Sequence, residues 1–292
     1  ADAVGHYTKG KEIARGGMGA ILEANDQLLG RNVAMKVVLQ DRMSEDARLR
    51  FVREATVLAR LEHPNIIPIH EMGKDAEGNL FYTMKMVEGR TLQAILNAIK
   101  KGDSATVAHY TLDRLLTIFR KVCDAMAFAH SKGIIHRDLK PENIMVGAFG
   151  EVLVMDWGLA KILTDIAQTA VEAWQQSEVS EESQAALEKS ALPSGFEELS
   201  DSQMPGASQA LTMDGAVMGS PQYMAPEQAE GRIGDIDERS DIFSLGGVLY
   251  AILTLRPPVE GRTVKQALEN IKSGNITPPT HYNTSRAGGV NV

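Results

Sequence analysis

Hydrophobic and polar positions change rhythm along this chain of 292 residues. Its first third carries short apolar runs broken by Gly-containing turns, and Tyr7 to Ala14, Ala20 to Asp26 and Asn32 to Leu39 read as β-strands. A helix follows, with Ser44 as N-cap and Leu49, Val52, Ala55, Val57, Leu58 and Leu61 as a broad apolar face. His63-Pro64-Asn65 ends it, and two more strands, Ile66 to Met72 and Asn79 to Val87, flank a polar turn at Asp75 to Gly78. After Glu88-Gly89 the period becomes helical. Thr91 to Lys100 predicts one helix and Leu112 to Ser131 a stronger one, with Leu112, Leu115, Leu116, Phe119, Val122, Cys123 and Met126 at helical spacing and Gly133 as its stop. Ile144 to Val146 and Val152 to Met155 predict a hairpin. Asp241 to Leu253 is apolar nearly all round, the pattern of a helix buried in a core, and Thr263 to Ser273 is a last short helix.

Composition narrows the class. With 43% hydrophobic and 23% charged residues, the chain is neither collagen-like nor wholly disordered. A single cysteine, Cys123, allows no intrachain disulfide and suits a reducing compartment. No run of 18 apolar residues occurs, and the opening Ala1-Asp2-Ala3-Val4 is not a secretory signal. A cytoplasmic domain without membrane contact is therefore expected. The net charge of −8 is local: residues 162–214 hold ten acids and one base, and the remainder of the chain is close to neutral. A basic footprint for nucleic acid is absent. The acidic stretch is rich in Ser, Gln, Glu and Ala. Within it Ile166 to Gln176 has helical spacing, whereas 177–212 is expected to be loosely ordered, either as a solvated insertion or as a regulatory or docking segment.

Several short motifs carry chemistry. Ile13-Ala14-Arg15-Gly16-Gly17-Met18-Gly19-Ala20-Ile21 lies between two predicted strands, where glycines let backbone N–H groups approach a polyphosphate. The nearby Gly5 to Glu12 run resembles a P-loop but puts Glu12 where a hydroxyl is required, and no strand precedes it. Val33-Ala34-Met35-Lys36 places a lysine within an apolar strand, where its ammonium needs a partner, and Glu54 on the following helix can be that partner. His136-Arg137-Asp138-Leu139-Lys140-Pro141-Glu142-Asn143 follows the long helix, and Asp156-Trp157-Gly158 comes eighteen residues after Asp138. Then come Gly219-Ser220-Pro221-Gln222-Tyr223-Met224-Ala225-Pro226-Glu227 and Arg239-Ser240-Asp241.

In this order the motifs resemble the eukaryotic-type Ser/Thr protein kinases, most closely their bacterial branch, over residues 7–161 and 213–280. The resemblance implies an α+β, bilobal fold: a β-rich N-lobe over 7–87, a mainly helical C-lobe over 88–280 with the acidic insertion at 162–212, and an unstructured tail at 281–292. It implies ATP and Mg²⁺ as cofactors and Ser/Thr hydroxyls of proteins as acceptors. Residues Ile13, Ala14, Arg15, Gly16, Gly17, Met18, Gly19 and Ile21 would cover the phosphates, Lys36 would hold them, and Glu54 would fix Lys36. Ala34, Met84 and Met86 would line the adenine site. Asp138 would accept the hydroxyl proton, Lys140 would neutralise the γ-phosphate, and Asn143 and Asp156 would ligate Mg²⁺. Asp241 would brace the catalytic loop. Arg137 implies activation by phosphorylation, for which Thr212 is the candidate site, with Ser220 and Glu227 in the same segment. Glu142 would favour a basic residue in the substrate, and dimerisation would serve trans-autophosphorylation.

The sequence also departs from the family pattern. Ala14 replaces a glycine, Trp157 replaces the usual Phe, and Glu227 comes 71 residues after Asp156. The helices that normally follow Thr263 to Ser273 are missing, so Glu227 is expected to lack its usual arginine partner. Two other readings are a pseudokinase scaffold, disfavoured because Lys36, Glu54, Asp138, Lys140, Asn143 and Asp156 are all present, and a small-molecule kinase, disfavoured by Ser220 and the Ala-Pro-Glu segment.

Overall fold

The computed structural model describes residues 3–16, 19–38, 45–75, 77–162 and 221–282. Gly17, Met18, Ser44, Thr212, Ser220 and the acidic insertion lie outside them, as does most of the predicted tail.

Strands β1 (Ala3–Val4), β2 (Tyr7–Arg15), β3 (Gly19–Asp26), β4 (Arg31–Val38), β5 (Ile69–Lys74) and β6 (Leu80–Lys85) form one antiparallel sheet in the order β1-β2-β3-β4-β6-β5. β1 was not anticipated and carries the sheet back beyond residue 7. Gly5 turns the chain at φ +56°, which lets Val4 and Tyr7 pair and bury themselves in the outer face of the sheet. β5 starts later than the apolar run suggests because Pro68 has no N–H to give a ladder; its carbonyl instead accepts from Lys85 N–H at 3.1 Å. The helix α1 (Glu45–Arg60) covers the inner face through Phe51, Val52, Ala55, Val57 and Leu58.

The polypeptide then becomes helical: α2 (Leu92–Lys100), α3 (Ser104–His109), α4 (Leu112–Ser131), α5 (Pro226–Ala229), α6 (Glu238–Thr254) and α7 (Val264–Lys272). Thr91, Thr111 and Thr263 cap α2, α4 and α7 by accepting from the backbone N–H three residues on. The sequence reading missed α3, whose Ser-Ala-Thr run has no strong period; Asp103 sets its start by accepting from Thr106 N–H at 2.8 Å. It also began α6 too late. The turn Glu238 to Ser240 is polar, so periodicity does not see it, but Asp237 caps it and Glu238 and Asp241 suit the positive end of the dipole.

The predicted hairpin is β9 (Ile144–Gly147) with β10 (Val152–Val154), extended by β7 (Gly89–Thr91) on the β9 side. β8 (Ile134–Ile135) pairs with β11 (Lys161–Ile162). One apolar core runs through both regions, from Ala34, Leu58 and Tyr82 through Leu115, Ile144 and Trp157 to Val248 and Ile252. This is the bilobal α+β fold, with the β-rich and helical lobes joined by the Lys85 to Glu88 segment.

Candidate active site

Lys36 and Glu54 meet as the sequence suggests. Lys36 points from β4 toward α1, and its Nζ lies 2.7 Å from both Glu54 carboxylate oxygens. Glu54 is buried and Lys36 nearly so. Alternation along the strand puts Ala34 on the same face, directly opposite Met84 of β6, and both are buried. Met86 is half-buried just beyond β6.

Gly16 N–H donates to Gly19 O at 2.9 Å, and Ala14 and Arg15 pair with Ile21 and Ala20. Glycine at position 19 has a steric cause: a Cβ there would lie 2.2 Å from Val37 O. Ile13, Ala14, Arg15 and Gly16 are exposed, and Ile21 is partly buried against the core. Arg15 pairs with Glu12 through both carboxylate oxygens.

On the other side, the loop after β8 gathers Asp138, Lys140 and Asn143. Lys140 Nζ donates to Asp138 Oδ2 at 2.6 Å, and Asn143 Nδ2 donates to the Asp138 carbonyl at 2.8 Å. Asp241, fully buried on α6, accepts from His136 N–H at 2.8 Å and from Arg137 N–H at 2.9 Å. Its Oδ2 also meets His130 Nε2 at 2.8 Å. Arg137 takes the left-handed conformation, φ 67°, and its carbonyl accepts from Gln228 Nε2 at 2.8 Å. The loop is thus fixed through its backbone, while the Asp138 side chain accepts from Lys140 and Asn143.

Met155 N–H donates to Asn143 O at 2.9 Å, which ties the end of β10 to this loop and sets exposed Asp156, φ 62°, beside it. Asn143 Nδ2 is committed to Asp138, so its Oδ1 is the group it can offer a cation. One amide oxygen and one carboxylate, completed by phosphate oxygens and water, form a hard-oxygen set that suits Mg²⁺. Among the described residues no cluster of three or more His, Cys, Asp or Glu could hold a metal by itself. Trp157 is buried, and its ring centroid lies 4.6 Å from that of His136. The larger ring in place of Phe is therefore accommodated inside the core.

Ser240 Oγ donates to Glu227 Oε1. Glu142 Oε2 is buried with no hydrogen-bond partner among the described residues. Burial and then the Glu142 charge raise the Tyr223 phenol well above its ordinary pKa. Sequence reasoning missed Tyr82, His130, Gln228 and Ser240. Tyr82 and Gln228 act on residues far off in sequence, but His130 and Ser240 carried a signal, a polar residue at the end of a strong helix and one beside Asp241.

The Protein kinase domain family matches residues 7–181. The chain is similar to serine/threonine-protein kinase PknD of Protochlamydia amoebophila, 36% identical over 266 residues covering 89% of this chain and 24% of that protein. PknD of Chlamydia abortus is 35% identical over 267 residues, 89% and 25% of the two chains. PknD of Chlamydia muridarum is 38% identical over 251 residues, 84% and 24%. The chain therefore spans about a quarter of the length of these curated relatives. With the match covering more than half of its residues, and with the motif order and bilobal fold agreeing, the chain belongs to the protein kinase domain family.

Proposed function

We propose that this chain is the catalytic domain of a Ser/Thr protein kinase that moves the γ-phosphoryl group of ATP to Ser or Thr hydroxyls of proteins. The observation that carries the reading is the simultaneous pairing of Lys36 with Glu54 and of Asp138 with Lys140 and Asn143. Phosphoryl transfer needs positioning and charge stabilisation more than covalent help. In this reading Ile13 to Ile21 cover the phosphates, and Lys36 holds them in a place fixed by Glu54. Ala34, Met84 and Met86 border the adenine. Asp138 takes the proton of the attacking hydroxyl as its oxygen bonds to the γ-phosphorus and the bond to ADP breaks. Lys140 offsets charge on the transferring group. Asn143 and Asp156 would hold Mg²⁺, which would supply charge neutralisation on the phosphates.

The lobes are assigned as 7–87 and 88–280, with the insertion at 162–212 and a tail from 281. Glu142 is assigned a preference for a basic side chain in the substrate. Activation is assigned to phosphorylation at Thr212, read by Arg137, with a second copy of the chain as the phosphorylating partner. No described helix is long and apolar enough to cross a membrane; the domain is assigned to the cytoplasm.

The test is intact-mass spectrometry of the chain after incubation with Mg²⁺ and ATP, beside Asp138→Asn. Stepwise gains of one phosphate in the parent alone are expected, at Ser or Thr on peptide mapping. No gain in the parent, or equal gain in both, overturns the reading.

A further inference from the structure

The Lys36–Glu54 pair has a third member. Lys36 and Tyr82 are direct partners in the β4–β6 register, so their side chains leave the sheet on one face, the face that α1 covers. The Tyr82 hydroxyl donates to Glu54 Oε1 at 2.9 Å. Its ring lies 5.8 Å from Lys36 Nζ, within cation–π range. Phe51, one turn before Glu54 on α1, packs its ring at 5.0 Å from the Tyr82 ring. Tyr82 is therefore in contact with both members of the ion pair and with the helix that carries one of them.

The reason for a hydroxyl here is not packing. Tyr82 is 1% exposed, and a phenylalanine would fill the same apolar site without the cost of burying an oxygen. Burial and then the Glu54 charge hold the phenol well above its ordinary pKa, so it remains a donor. Lys36 and Glu54 are flexible side chains, and each alone restrains the other only as firmly as it is itself held. A rigid ring on a central strand, clamped by Phe51, gives the Glu54 carboxylate a fixed reference point.

We propose that Tyr82 is a positioning residue whose hydroxyl fixes the Glu54 carboxylate, and with it the seat of α1, so that Lys36 Nζ is held where the phosphates of ATP arrive. The catalytic half of this inference rests on the kinase reading; the structural half does not.

Tyr82→Phe removes the hydroxyl and keeps the ring. Two readouts are taken in the parent and in a Glu54→Ala background: initial autophosphorylation rate against ATP concentration, and amide hydrogen exchange of Glu45–Arg60 by mass spectrometry. In the parent background Tyr82→Phe is expected to lower kcat/KM for ATP by about three- to tenfold, as loss of one hydrogen bond implies. Exchange in α1 should rise by a similar factor while exchange in α4 stays unchanged. With Glu54 already replaced by alanine, both effects should shrink below about 1.5-fold, because the two residues act as one unit. Equal losses in both backgrounds, or α1 exchange unaltered by Tyr82→Phe, overturn the proposal. A parent that takes up no phosphate overturns the kinase reading instead, and the exchange cycle then decides the Tyr82 inference alone.

Discussion

Asp138 sits in a loop whose backbone is gripped by groups that belong to the core. Asp241 on α6 takes the His136 and Arg137 N–H groups, and Gln228 donates to the Arg137 carbonyl. Lys36, on the other lobe, is placed by side chains: a carboxylate 18 residues away on a helix, and the phenol of Tyr82 behind it. On the C-lobe side the bonds that place Asp138 are also bonds that hold the fold. On the N-lobe side the two tasks separate, since the sheet is held by its ladder, its outer core and its turns, none of which needs the ion pair. A half-site built from backbone braces is ready when the domain folds. One built from side chains can be assembled or released without unfolding anything.

The largest effect expected from this contrast is at Asp241. Asp241→Asn keeps the volume but presents an amide donor to backbone N–H groups that are themselves donors. At least one buried N–H loses its acceptor, and His130 loses a charged partner. The cost should be on the order of 3–5 kcal/mol. Thermal unfolding should fall by several degrees, and phosphotransfer should drop at least about 100-fold at temperatures where the variant is still folded. A variant that lost activity yet melted with the parent would show that brace and fold are separable here as well, and the comparison would fail.

Replacing the ion pair tests the opposite side. In Lys36→Met/Glu54→Gln both charges are removed, and the introduced glutamine amide can still accept from Tyr82. Desolvation of two buried charges roughly cancels their attraction, so the melting curve should stay within about 1 kcal/mol of the parent. Phosphotransfer should fall by at least about 100-fold, because the lysine that would hold the phosphates is gone. Calorimetry beside the mass-spectrometric assay reads both quantities. A destabilisation as large as that of Asp241→Asn would place the ion pair among the elements that hold the fold.

The same distinction explains what was legible in the sequence. Elements written in a single period were read closely: α4 was placed at Leu112–Ser131, and β3, β4 and the β9–β10 hairpin within a residue or so. Lys36 stood out because an ammonium in an apolar strand needs an acid. Asp138, Lys140, Asn143 and Asp156 came from motif order, which reports a family rather than a geometry. The contacts that position these groups were hidden. Tyr82 sits in a run of five buried residues, Leu80 to Met84, where nothing in the pattern separates a packed ring from a hydrogen-bonded one. Gln228 becomes a bracing group only after α5 has docked against the loop. Short elements such as β1 and α3 depend on one turn glycine and one capping aspartate, features too common in loops to be decisive alone.

The smallest effect expected separates N-lobe stability from the site by way of pH. Asp75 closes the turn between β5 and β6, accepting from Glu77 and Asn79 N–H, from the Asn79 amide and from Lys9 Nζ. Burial pushes its carboxyl up, but these donors, Asn79 N–H first, outweigh it and hold the group below the usual carboxylate range. A pKa lowered on folding stabilises the native state above the unfolded value, near 3.9, and that stabilisation is lost as pH falls through the folded value. Asp75→Asn should therefore be about 1–2 kcal/mol less stable than the parent at pH 7. The gap should close as pH is taken from 4 downward in paired denaturation curves. Autophosphorylation at pH 7, well below the melting temperature, should stay within about twofold of the parent, because Asp75 touches neither α1 nor Lys36. A gap that persisted unchanged to pH 2 would mean that turn shape, not charge, holds this corner. A loss of activity matching that of the ion-pair variant would mean that sheet and site are coupled after all, and that the N-lobe resembles the C-lobe more than its bonding suggests.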